Sequence, residues 1–193
     1  MAEEQNLSLK TLILLQSALA LVSFVIIKLV FDPGMGKLWL YPSSLYYNLV
    51  MGAAGAIILY FPAYLYLRHK KKELLQAVRP LLPICRRPIA LLAAISFLAG
   101  LSEELLFRAL LQRLLGIWPA SILFMLAHAG FWAAPPRTQA RMLFAPFSLA
   151  AGLLMGLLFR EAGLTAAVTA HFLYDLAAFV MLKKEFIGVG RRK

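Results

Sequence analysis

Four places in the second half of this chain set ionisable side chains into sequence that is otherwise fit for lipid. The first is Ser102-Glu103-Glu104-Leu105-Leu106-Phe107-Arg108, inside an apolar run from Pro88 to about Gly116. The others are His128, His171 and Asp175. A charge at the centre of a membrane helix costs about 2.5 kcal/mol or more, so such groups are usually buried, paired and functional. Glu104 and Arg108 share a helix face and can neutralise each other. Glu103 is rotated about 100° from Glu104 and is left for another partner. A carboxylate and an imidazole that share one water can act on it as a general base. A second imidazole with a polar group four residues on, His171 and Asp175, can stabilise a developing oxyanion. That set suits hydrolysis of an amide bond. It also suits zinc, with Glu103, His128 and His171 as ligands and one position open to water. The plainer alternative is a structural ion pair with packing histidines. Ser102 adjoins the cluster without an evident base, and neither a glycine-rich phosphate loop nor a His-Glu-x-x-His motif is present.

The elements that must carry these residues are membrane helices. The 193 residues are 62% hydrophobic with a mean hydropathy of +0.77, against about 45–50% apolar for a soluble domain. The expected fold is all-α, a polytopic bundle of about six transmembrane helices. Expected spans are Leu9–Phe31, Leu45–Leu67, Pro88–Gly116, Pro119–Ala134, Leu143–Phe159 and Leu164–Leu182. The first run is long enough to stay as an anchor. Gln16 and Lys28 interrupt its interior and inner edge. Trp39, Tyr41, Tyr46 and Tyr47 suit an interfacial aromatic belt. Lys72–Val78 suits a short interfacial helix ended by Pro80 and Pro83. Gly52 and Gly55 offer a close packing face, and Gly152 and Gly156 form a Gly-xxx-Gly helix contact.

The net charge of +11 does not point to nucleic acid, because the basic residues cluster at the ends of apolar runs. There they set topology and meet anionic headgroups. The basic stretches 68–87, 135–142 and 183–193 are expected inside, and 32–44, 117–118 and 160–163 outside, with both termini cytoplasmic. The expected units are 1–87, a two-helix membrane part with a basic cytoplasmic loop; 88–182, a four-helix core; and 183–193, a basic tail. The single cysteine, Cys85, excludes an internal disulfide and any cysteine-cluster metal site.

Helix rise places Glu103 about 20 Å, His128 about 15 Å, His171 about 11 Å and Asp175 about 17 Å from the outer ends of their segments. Allowing one turn at each helix end, the four lie in one layer near mid-bilayer. Three helices then bring carboxylates and imidazoles together at one depth.

In this order, on the third, fourth and sixth expected spans, Glu103-Glu104-x-x-x-Arg108, Phe124-x-x-x-His128 and His171-x-x-x-Asp175 resemble the three motifs of the CPBP family. These are intramembrane proteases that include the CAAX prenyl endopeptidases and the bacterial "Abi" proteins. The resemblance covers about Pro88 to Leu182. It implies that Glu103 and His128 activate water, that Glu104 and Arg108 support the site, and that His171 and Asp175 stabilise the oxyanion. It implies a glutamic-type mechanism without a cofactor, with the zinc form of the same site as the alternative. Asp175 stands where the prenyl-protein proteases often have Asn. An ionised Asp repels an oxyanion, so this residue suits orienting His171 or, if protonated, donating a hydrogen bond. The implied substrate is a membrane-embedded or membrane-proximal protein segment: a C-terminal sorting tail, a peptide precursor or a lipidated C-terminus. The expected location is a cell membrane, read as a bacterial cytoplasmic membrane. Rival readings are a non-catalytic immunity or partner-binding module and a proton-coupled carrier. The carrier lacks the expected paired broken helices or inverted repeat.

Overall fold

The computed structural model describes residues 9–31, 44–132 and 139–190. Among these, every regular element is helical. Helix α1 spans Leu9–Phe31 and α2 spans Leu45–Ala77; a 3-10 turn, Arg79–Leu81, leads into the short α3, Leu82–Cys85. Helix α4, Ile89–Glu104, continues without interruption through a π-helical stretch, Leu105–Gln112, to Leu115. Then come α5 (Ile117–Ala127), the single turn α6 (Ala129–Trp132) and α7 (Gln139–Gly190).

Four of these are long and apolar enough to cross a bilayer: Leu9–Phe31, Leu45–Ala77, Ile89–Leu115 and Arg141–Glu185. Large apolar side chains point outward along them, such as Leu14 at 70% exposure and Leu29 at 78%. Water would not tolerate so much contiguous apolar surface, whereas lipid chains solvate it. The protein is a multi-pass membrane helix bundle.

α7 is two crossings, not one. Its chain is non-helical at Gly163 (φ 80°, ψ 179°). A Cβ on Gly55 would sit 2.6 Å from Leu158 Cδ1 and 3.3 Å from Ala170 Cβ. On a straight helix those two residues would be about 18 Å apart. The chain therefore folds back at Gly163, and the halves 139–162 and 164–190 lie side by side. The expected outer turn 160–163 shrinks to one residue, because glycine alone adopts that backbone freely.

The other spans differ from expectation in local ways. Helix α2 joins the expected span 45–67 and the expected interfacial helix 72–78 end to end, with a kink at Lys70 (φ −130°, ψ 40°). Helix α5 has 11 residues, about 16 Å, roughly half the thickness of a hydrocarbon core. It stops at His128 rather than running to Ala134. Pro119 lies in its first turn, where a missing N–H costs nothing. The π-helical stretch in α4 was not foreseen. The expected break at Pro135-Pro136-Arg137, and Trp39 and Tyr41 of the expected belt, lie outside the described residues.

The small residues set the helix spacing. A Cβ on Gly52 would meet Thr169 Cβ at 2.6 Å and Ala166 O at 2.7 Å, and one on Gly152 would meet Ser121 Cβ at 3.1 Å. One on Gly156 would meet Gln112 Oε1 and Ile117 Cγ1, each at 2.7 Å. Gly152 and Gly156 thus pack on α5 and the end of α4 within this chain, so that face is not open to a partner helix.

The stretch 68–87 meets the start of the basic tail at one end. Lys71 pairs with Glu185, and Lys183 Nζ donates to the Arg87 carbonyl. Leu67, Leu74, Val78, Cys85 and Leu182 form one buried cluster there. At the opposite end the Arg113 guanidinium lies 3.9 Å from the Phe31 ring centroid.

Candidate active site

Each site residue is delivered by a local device. Gly100, one turn before Glu104, lets α4 approach α7: a Cβ there would lie 3.3 Å from Phe172 N and 3.4 Å from His171 Cβ. That approach puts Glu104 beside His171. Glu104 and Arg108 are both fully buried. Arg108 Nε donates to Glu104 Oε2 at 3.0 Å, and its Cζ lies 5.2 Å from the Phe124 ring centroid. The other Glu104 oxygen, Oε1, is 2.8 Å from His171 Nδ1. With an ionised Glu104, that nitrogen is the donor.

His128 owes its position to the end of α5. A helix terminus leaves carbonyls without intrahelical partners. The Phe124 carbonyl takes the His128 backbone N–H at 3.3 Å and the ring Nδ1–H at 2.8 Å. Pinning Nδ1 as donor leaves Nε2 facing the cluster. The Phe124 ring packs between these groups, 4.4 Å from the His128 ring and 6.1 Å from the His171 ring.

Both imidazoles face the Glu103 carboxylate. Its Oε2 is 3.6 Å from His128 Nε2 and 4.0 Å from His171 Nε2. This oxygen is buried without a hydrogen-bond partner. Asp175 Oδ2 lies 3.6 Å from His171 Nε2. His171 is therefore held at Nδ1 by Glu104, while its Nε2 faces Asp175 and Glu103. The six residues singled out in the sequence, Glu103, Glu104, Arg108, His128, His171 and Asp175, form one cluster. Two neighbours were not foreseen as site residues. Gln16 of α1 donates to Glu103 Oε1 at 3.4 Å, and the Ser102 hydroxyl donates to Gln16 Oε1. The only signal for Gln16 was its polarity within an apolar span.

Glu103, His128, His171 and Asp175 line one end of a cavity of about 330 Å³. Most of its wall is apolar. It extends to Leu74, Leu81 and Leu182 at the basic end of the bundle. Among the described residues, no group of three or more His, Cys, Asp and Glu side chains has an arrangement that could hold a metal ion.

Residues 86–177 match the family of type II CAAX prenyl endopeptidases described as Rce1-like. That stretch is similar to this family of endopeptidases. It begins just before α4 and ends two residues beyond Asp175, so it holds all three motifs. The chain is also 29% identical over 103 residues to the uncharacterized protein YpbD of Bacillus subtilis (strain 168), covering 53% of this chain and 51% of the relative. The chain thus spans about half the length of that relative. No solved structure matches.

Proposed function

We propose that this protein is an intramembrane endopeptidase of glutamic type that cuts a membrane-embedded or membrane-proximal protein segment. One observation carries the reading: a buried Glu103 oxygen with no hydrogen-bond partner faces two imidazole nitrogens at the end of an apolar cavity. A water seated between Glu103 Oε2 and His128 Nε2 gives a proton to Glu103. The resulting hydroxide attacks the peptide carbonyl carbon. His171, with Nε2 protonated, offers that N–H to the oxyanion, while Glu104 holds Nδ1 and Asp175 fixes the tilt of the ring. Collapse of the tetrahedral intermediate breaks the C–N bond, and Glu103 returns its proton to the leaving amine. Arg108 neutralises Glu104, so that carboxylate acts as an anchor and not as a second base.

The cavity supports an apolar substrate that enters from the basic end, which the charge bias assigns to the cytoplasm. A C-terminal tail, lipidated or strongly apolar, fits this shape, and the cell membrane is the proposed location. The basic rim suits anionic lipid headgroups.

The test is cleavage of a farnesylated peptide ending in Cys-aliphatic-aliphatic-X, and of an unlipidated apolar C-terminal tail, by the protein in liposomes. Glu103→Gln and His128→Ala are each expected to remove about 10²-fold or more of kcat, the usual scale of general-base loss. Wild-type rates in both would refute the reading. Chelation is expected to leave the rate unchanged, and a rate restored by zinc would favour the metal form.

A further inference from the structure

We infer that Gln16, on a helix outside the stretch shared with the family, is the positioning residue for the Glu103 carboxylate. The inference rests on Glu103 being the base. A carboxylate on a membrane helix can rotate about its last bond, and a base must present one oxygen to its water. Only one Glu103 oxygen faces the rings. The other, Oε1, receives the Gln16 Nε2–H at 3.4 Å. With Oε1 held by α1, Oε2 stays directed at His128 and His171.

The orientation of Gln16 is itself determined. An amide can present either its oxygen or its NH₂ to a neighbour, and the surrounding hydrogen bonds decide which. Ser102 is fully buried, and its hydroxyl lies against Gln16 Oε1 and 3.1 Å from the Ala99 carbonyl. The Glu103 carboxylate oxygen only accepts, so the Gln16 NH₂ faces it and the Gln16 oxygen falls to Ser102, whose single proton is shared between that oxygen and the Ala99 carbonyl. The Gln16 oxygen is thereby engaged by Ser102, and its NH₂ is turned to Glu103. Three residues on two helices form a relay: Ser102 orients Gln16, and Gln16 orients Glu103. This accounts for the one amide side chain inside the largely apolar α1. It also gives α1 a part in the reaction that the three motifs do not record.

The relay predicts coupling. Gln16→Met keeps the shape of the side chain and removes the donor. Ser102→Ala leaves Gln16 in place and frees its amide to flip. In nanodiscs, the infrared carboxylate band assigned to Glu103, as the difference between wild type and Glu103→Gln, is expected to shift in Gln16→Met. It is expected to shift in the same direction in Ser102→Ala and no further in the double variant. In the peptide assay Gln16→Met is expected to lower kcat about 10-fold, the worth of one hydrogen bond to a charged group, with KM within about twofold. The double variant should match Gln16→Met alone. A Glu103 band unmoved by Gln16→Met overturns the inference, whatever the substrate. So does wild-type kcat in Gln16→Met when Glu103→Gln is inactive. If Glu103→Gln itself stays active, the base assignment falls, and the infrared result still decides whether Gln16 holds that carboxylate. Should Gln16→Met fail to fold, Ser102→Ala carries both readouts.

Discussion

Arg108→Met separates an ion pair that holds the site from a residue that acts in it. Arg108 and Glu104 are both fully buried, with Nε to Oε2 at 3.0 Å. At an effective dielectric of 20, opposite charges that close attract by about 5 kcal/mol, most of which offsets their desolvation. Methionine fills similar volume but leaves the Glu104 carboxylate buried with only His171 beside it. The expected loss is about 3–5 kcal/mol of stability. Replacing both residues, Glu104→Gln with Arg108→Met, removes the stranded charge. The double variant is expected to recover to within about 1–2 kcal/mol of wild type, since an apolar replacement of a buried pair is often near neutral. Reversible unfolding in mixed micelles measures both, and peptide cleavage measures the consequence. The double variant should fold and yet cleave slowly, because His171 Nδ1 has lost its carboxylate partner at 2.8 Å. Equal stability of Arg108→Met and wild type would refute the argument. So would a double variant no more stable than the single one.

Four further outcomes follow from the structure. Gly163→Ala places a side chain at φ 80°, ψ 179°, and should cost about 1–3 kcal/mol in the same unfolding measurement. Gly116→Ala, at φ 88° with nothing within 4 Å of the new Cβ, should lose stability through the backbone alone, so serine there should be no worse than alanine. Gly52→Val drives a branched side chain into Thr169 and the Ala166 carbonyl, at 2.6 Å and 2.7 Å from the Cβ; it should part α2 from the second half of α7 and cost about 1–3 kcal/mol as overpacking. Burial pushes the Cys85 thiol at the basic end up to about 11. Its thiolate should be scarce at neutral pH, and iodoacetamide labelling should be slow until the pH approaches that value or detergent unfolds the chain.

The spans and the reactive side chains were legible because both signals are local. Runs of apolar residues mark membrane helices through the cost of burying an unpaired backbone in lipid. The Glu104–Arg108 pair follows from helical spacing alone. Helix rise was enough to place Glu103, His128, His171 and Asp175 at one depth, since rise depends on residue count and not on packing. Which atoms then face each other is a matter of rotation about helix axes, and a sequence does not record it. Nothing in the order of residues says that His171 turns Nδ1 to Glu104 and Nε2 to Glu103, or that Gln16, 87 residues from Glu103, closes the other side. The early stop of α5 at His128, the π-helical turn after Glu104 and the one-residue reversal at Gly163 were also settled by packing. Each exchanges regular helical hydrogen bonding for contacts between helices far apart in the chain, and only the assembled bundle contains those contacts.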